Sequence, residues 1–143
     1  MIKTEKGKIG HLMMHICRMR GKMVDQFMEK NHLFRGQGVL LMFIWDHEGL
    51  THSEIADYLK ISPAATTKVI KRLEEEGYLQ RKQDEKDERI SRVFILPKGL
   101  AVIEDVHQSF LRLEEKTFQD FSKQDLENLG NYLERILTNL SQE

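Results

Sequence analysis

Between Ile9 and Phe27, apolar residues return every three or four positions: Ile9, Leu12, Met13, Ile16, Met19, Met23 and Phe27. Polar residues fill the gaps, so this spacing predicts a long amphipathic helix ending near Lys30. Gly36 to Trp45 is almost wholly apolar, and periodicity there does not separate a buried helix from a buried strand. Leu40, Leu41 and Met42 favour helix, and Asp46-His47-Glu48-Gly49 supplies a stop with glycine at its end.

Thr51-His52-Ser53-Glu54 reads as a capping box, in which the threonine and glutamate side chains each satisfy a backbone N–H of the first turn. The helix it opens buries Ile55, Ala56 and Leu59 and stops near Lys60. Ser62-Pro63 then starts another helix, because serine is a strong N-cap and proline lacks only an N–H that the first turn does not use. That helix runs from Pro63 to Glu76 and ends at Gly77, with Thr66, Val69, Ile70 and Leu73 facing inward. Its opposite face shows Ala64, Ala65, Lys68, Lys71 and Arg72. Two short helices around a tight turn form a helix-turn-helix plan. Small residues at the start of the second and bases along its side suit a helix that enters a major groove.

Tyr78–Gln83 and Ile90–Leu96 are strand-like runs that bracket the hexapeptide Asp84-Glu85-Lys86-Asp87-Glu88-Arg89. A hairpin directly after a recognition helix makes a wing, here lined by Lys82, Lys86, Arg89 and Arg92. Pro97-Lys98-Gly99 opens a further helix with Ile103, Val106, Phe110 and Leu113 as core positions. Ser122 to Asp125 repeats the capping pattern before a last helix carrying Leu126, Leu129, Leu133, Ile136 or Leu137, and Leu140, close to a heptad seam. The terminal helices fit a dimerisation module, and periodicity alone equally allows ordinary packing within the chain.

Composition adds little and charge placement adds more. The 143 residues are 40% hydrophobic and 31% charged, an ordinary globular balance long enough for one real core. A single cysteine excludes an intrachain disulfide framework, no apolar run could span a bilayer, and the first residues lack a signal-peptide core; these point to a soluble cytoplasmic protein. The net charge of −1 does not favour nucleic acid. Ser62 to Arg92 holds eight bases against seven acids, and Leu100 to Glu143 holds four against nine. The hexapeptide alone carries four acids and two bases, so placement must decide what a charge sum does not: Asp84, Glu85 and Glu88 can point to solvent at the tight turn, with Lys86 near phosphate.

Over nearly its whole length the sequence resembles the MarR family of winged-helix transcriptional regulators. The resemblance lies in THSEIADYLKISPAATTKVIKRLEEEGYLQR (Thr51–Arg81) and in DERISRVFILPKG (Asp87–Gly99), which is similar to the family's wing signature. It implies a mainly α fold with a small β-hairpin wing: a winged helix-turn-helix lobe over about 36–99, flanked by dimerisation helices over about 5–31 and 100–143. It further implies a homodimer on a pseudo-palindromic double-stranded operator, most often as a repressor. By position, Ser62, Pro63, Ala64, Ala65, Thr67, Lys68 and Lys71 would face the major groove, and Arg89, oriented by Asp87, would enter the minor groove. Arg72, Lys82, Lys86 and Arg92 complete the expected DNA-binding set. The sequence departs from the family pattern at Ala65, where a hydroxyl is common, at Thr66, where an apolar residue is usual, and at Pro97, which replaces a capping threonine.

Family members often bind small aromatic or phenolic effectors, which makes His11, Met14, His15, Arg18 and Trp45 candidate effector contacts here. Met13, Met14, Met19, Met23, Met28 and Met42, with Phe43 and Trp45, form a methionine-rich set that core packing explains equally well. His11 and His15 stand at i, i+4, a spacing that can hold zinc, but no acidic or cysteine partner lies near them in sequence. No metal or other cofactor is therefore expected. Cys17 allows a redox-sensing reading, and a buried structural thiol is the expectation. Without a nucleophile triad, phosphate loop or paired carboxylates, an enzyme is not expected. The alternatives to an effector-modulated DNA-binding repressor are a redox- or metal-responsive regulator and a winged-helix module that binds protein.

Overall fold

The computed structural model describes residues 3–142, apart from the side chain of Arg35. Six helices occur among them: α1 (Glu5–Lys30), α2 (Arg35–Asp46), α3 (His52–Leu59), α4 (Pro63–Glu75), α5 (Pro97–Thr117) and α6 (Lys123–Ser141). Three strands, β1 (Leu50–Thr51), β2 (Leu79–Gln83) and β3 (Ser91–Ile95), form an antiparallel sheet in the order β1-β3-β2. The chain divides between Ser109 and Phe110 into two compact parts, and α5 runs across that division.

Local signals in the sequence explain most boundaries. Thr51 Oγ1 accepts from Glu54 N–H at 3.2 Å, and the Glu54 carboxylate accepts from Thr51 N–H at 2.8 Å, completing the expected capping box. Ser62 Oγ caps α4 by accepting from Ala65 N–H at 3.1 Å, with Pro63 in its first turn. Gly49 and Gly77 take positive φ of 82° and 80°, where a side chain would be strained, so glycine marks both stops. Gln37, which is buried, starts α2 from within: its Oε1 accepts from Phe34 N–H at 2.9 Å. Ser122 and Asp125 form the second full capping box, at the start of α6.

The core of the first part comes from α1, α2, α3, α4, β2, β3 and α5. Met28, Leu40, Leu41, Ile44, Ile55, Ile70, Leu73, Leu79, Val93, Ile103 and Val106 are all at most 1% exposed. Burying each such side chain contributes about 1.5–3 kcal/mol relative to leaving it in water. Thr66 is also fully buried, and its hydroxyl donates to Ser62 O at 3.1 Å, so a polar residue fits an apolar position without an unmet hydrogen bond. Pro97 begins α5 without a side-chain cap, and Leu100 N–H closes its first turn on Leu96 O at 2.9 Å. Gly99 has no room for a methyl group, because an added Cβ would collide with the Tyr78 carbonyl.

The structure adds to two expectations and corrects a third. The wing is part of a three-stranded sheet: β1 pairs with β3 through Leu50↔Val93 and Thr51↔Arg92, a two-residue strand too short to show a period. The apolar stripe of α1 does not enter the core, since Ile9, Leu12, Ile16 and Met19 remain 49–57% exposed. Of the methionine-rich set only Met28 is buried, Met14 is 66% exposed, and Cys17 is exposed rather than a buried structural thiol. On α1, Met13 and Met23 are half-buried, whereas Ile9, Leu12, Met14, Ile16, Cys17 and Met19 are exposed.

Candidate nucleic-acid interface

The outer face of α4 carries Pro63, Ala64, Thr67, Lys68 and Lys71, all exposed, at the three- and four-residue spacing of one helical side. Ser62, at the cap, is exposed as well, while Ala65 is half-buried. Thr67 Oγ1 donates to Pro63 O at 2.9 Å, which fixes the hydroxyl and leaves its oxygen free to accept. Lys68 has no carboxylate partner among the described residues.

Acids collect at the other end of the helix, where the dipole disfavours them, and each has a base. Glu74 takes a bidentate pair from Arg81, at 2.9 and 2.8 Å, and also accepts Arg81 N–H at 3.1 Å. That hydrogen-bonded guanidinium holds the Glu74 carboxyl below its ordinary range and raises Arg81 in turn. Glu75 lies 4.0 Å from Lys71, and Glu76 lies 3.4 Å from Arg72. Arg72 also covers the ring of Phe34 at 5.1 Å, so it leans back toward α2. Exposed pairs of this kind add little stability. Their effect is on polarity: the acids are matched near Glu74–Glu76, and the unmatched base sits toward the start of the helix.

In the wing, β2 and β3 are in register from Leu79↔Ile95 to Gln83↔Ser91, and Asp84 N–H bonds Ile90 O at 2.8 Å to close the loop. Asp87 braces Arg89 as expected. Its two oxygens accept from Arg89 Nε at 3.0 Å and Nη2 at 3.1 Å, and Oδ1 accepts Arg89 N–H at 3.1 Å. The pair holds Asp87 below the usual carboxylate range and leaves the Arg89 side chain 89% exposed. Lys86 is exposed nearby, and Lys82 lies over the Phe94 ring at 5.3 Å.

The sequence reading turns Asp84 to solvent with Glu85 and Glu88; the structure turns it inward. Asp84 Oδ2 accepts from Lys86 N–H and Asp87 N–H at 3.0 and 3.1 Å, and Oδ1 accepts from Arg92 Nε at 2.6 Å. Arg92 also donates from Nη1 to Gly49 O at 3.0 Å. Of the wing bases expected at DNA, Arg92 is therefore already engaged within the fold.

His52 escaped the sequence reading. It follows the cap of α3, its Nε2 is buried without a hydrogen-bond partner among the described residues, and burial, then the nearby Arg81 charge, lowers its pKa from the ordinary 6.5. A lowered folded value means that the folded state binds fewer protons, so this contribution to stability is complete above about pH 6.5 and is lost as pH falls below it. The urea midpoint of the wild type should therefore drop from about pH 7.5 to about pH 5.5 more steeply than that of His52→Gln. Equal slopes would show that His52 does not sense pH. A cleft of about 320 Å³ lies beside it, lined by Thr51, His52, Ser53, Arg89, Ile90 and Ser91.

The candidate effector residues come from two helices. His11, Met14, His15 and Arg18 lie on exposed α1 surface, whereas Trp45, at the end of α2, meets the His107 ring edge-on at 5.9 Å. Among the described residues no group of three His, Cys, Asp or Glu side chains is placed to hold a metal, and no helix is long and apolar enough to cross a membrane.

A capped helix pair, a second helix with a base-bearing outer face, and a β-hairpin presenting one arginine define a winged helix-turn-helix protein. Comparison with known proteins makes the class specific. The MarR family model matches residues 33–91. The chain is 34% identical over 101 residues to the transcriptional regulator AdcR of Streptococcus pneumoniae serotype 2 strain D39, covering 70% of this chain and 68% of that protein. A MarR transcriptional regulator from Methanosarcina mazei Go1 superposes with a TM-score of 0.75 at 30% identity, over 92% of this chain and 94% of that one. The DNA complex of S. aureus MepR superposes with a TM-score of 0.80 at 21% identity, over 96% and 100%, and shares the fold. The chain belongs to the MarR family: it is a transcriptional regulator with a winged DNA-binding fold, not an enzyme.

Proposed function

We propose that the chain acts as a homodimer that recognises a pseudo-palindromic double-stranded operator and represses transcription until a small aromatic or phenolic effector releases it. The observation that carries this reading is the division of labour among charges. Glu74, Glu75, Glu76 and Asp84 are paired with Arg81, Lys71, Arg72 and Arg92, while Lys68 at the α4 face and Asp87-braced Arg89 at the wing tip stay outward. The α4 face of Ser62, Pro63, Ala64, Ala65, Thr67, Lys68 and Lys71 enters the major groove. Arg89 enters the minor groove, where a narrow channel concentrates negative potential. Lys82, Lys86 and Arg72 lie where phosphates flank these contacts.

Two such lobes need a fixed spacing, and residues 5–31 and 100–143 supply the dimerisation region. An effector held by His11, Met14, His15, Arg18 and Trp45 would act by binding better to a dimer whose lobes are wrongly spaced. The S. aureus MepR–DNA complex and the S. pneumoniae regulator support the DNA-binding reading by likeness.

Fluorescence anisotropy of the DNA upstream of the chain's own gene, over a range of salt, tests the proposal. Binding should weaken steeply with salt, and Lys68→Ala should weaken all sequences alike and reduce the slope of log K against log salt by about 0.9. Loss at one base pair alone would make Lys68 a base reader. No salt-dependent binding at any sequence would favour a protein-binding module.

A further inference from the structure

Two arginines on the same wing are held in different ways. Arg89 has one partner, Asp87, and an 89% exposed side chain. Arg92 is 38% exposed and commits two of its three nitrogens, Nε to Asp84 at 2.6 Å and Nη1 to Gly49 O at 3.0 Å. Gly49 lies in the turn between α2 and β1, and its own N–H bonds Val93 O at 3.0 Å, so the turn and β3 are fastened from both sides. Asp84 is 16% exposed and fully employed, with Arg92 on one oxygen and the amides of Lys86 and Asp87 on the other.

A line of contacts follows: Gly49 carbonyl, Arg92, Asp84, Asp87 amide, Asp87 carboxylate, Arg89. The Asp87 residue itself joins its amide to its carboxylate, and every other link is a hydrogen bond of 2.6–3.1 Å. The line runs from Gly49 in the turn after α2, 43 residues before Arg92, to the exposed guanidinium at the tip. Nη2 remains free, but swinging Arg92 outward to a phosphate would break both bonds, uncovering the Gly49 carbonyl and leaving the Asp84 carboxylate without its cation. Such hydrogen-bonded charges cost more to strip than an exposed pair.

We propose that Arg92 and Asp84 are positioning residues, which do not touch DNA but hold the wing tip so that Asp87 aims Arg89. This rests on the DNA-binding reading above and replaces Arg92 as a contact in it. Chemically the device is a strut: one carboxylate fixes the turn's amides while one guanidinium ties that carboxylate to a distant carbonyl.

The test is a double-mutant cycle on operator affinity, measured across a range of salt. Arg92→Ala should weaken binding ~5-fold with the salt slope unchanged, because no phosphate contact is lost. Adding Arg92→Ala to Arg89→Ala should cost less than ~2-fold more, since a strut has nothing left to aim. Asp84→Asn keeps an acceptor for the two amides but loses the charge, and should act in the same direction with less disturbance of the turn. A salt slope reduced by about 0.9 in Arg92→Ala, with effects that multiply in the double variant, would make Arg92 a phosphate contact and overturn the proposal. Full affinity in both Arg92→Ala and Asp84→Asn would overturn it too. Absence of binding by the wild type overturns the regulator reading instead, and the strut with it.

Discussion

Arg89→Ala should weaken operator binding at least ~10-fold while leaving thermal unfolding and oligomeric state unchanged. The two halves of this expectation have one cause. Among the described residues the Arg89 side chain makes polar contact with Asp87 alone, so truncation leaves an exposed carboxylate and orphans no buried group. What is lost is a cation delivered to a groove where phosphate potentials overlap. Arg89→Lys should fall between wild type and alanine, because lysine keeps the charge but not the planar fork that Asp87 grips at two points. Anisotropy with a labelled operator reads the affinity, and thermal melting with size-exclusion chromatography reads the rest. Unchanged affinity in Arg89→Ala would remove the wing from the mechanism.

The wing also marks where sequence reasoning reached and where it stopped. Asp87 beside Arg89 is a local relation, two residues apart, and it was legible. So were the Thr51–Glu54 box, the Ser62-Pro63 start and the glycine stops, all of which follow from orphan N–H groups and positive φ at named positions. Asp84 was misassigned because a count of acids treats neighbours as equivalent. The signal was available: an aspartate two and three residues before a turn's amides is placed to accept from them. Arg92 had no such signal. Its partner Gly49 is brought near by the β1–β3 register, and a two-residue strand carries no alternation from which to infer a pairing.

Lys60 illustrates the same limit. It ends α3 in the left-handed region at φ 53°, where glycine or asparagine would have announced the stop. The stop near Lys60 was instead legible from Ser62-Pro63 beyond it, so the boundary was found without its conformation. His52 was hidden for a different reason. Its ring nitrogen is buried by the fold, and the Arg81 and Glu74 charges that act on it come from residues distant in sequence.

Leu133→Glu with Leu137→Glu should convert the protein to a monomer and lower operator affinity at least ~100-fold, the larger of the two effects. In α6, Leu126, Leu133, Leu137 and Leu140 are 42–79% exposed, and in α1, Ile9, Leu12, Ile16 and Met19 are similarly bare. The sequence left two meanings open for these stripes, packing within the chain or against a second copy. Scattered apolar residues on a surface need no explanation, but helix-long stripes do. A second copy is the occupant that the proposed two-lobed recognition requires, since one lobe reads one half-site. Losing it turns a second, effectively intramolecular binding event into an independent one, which is why the loss exceeds that of any single DNA contact. Because Leu133 and Leu137 are 46% and 66% exposed in the chain, the glutamates should leave far-UV circular dichroism intact. Sedimentation across concentration reads the association. A dimer that survives both charges would place its interface away from α6, and a variant that stays monomeric yet binds the operator normally would end the two-lobe account.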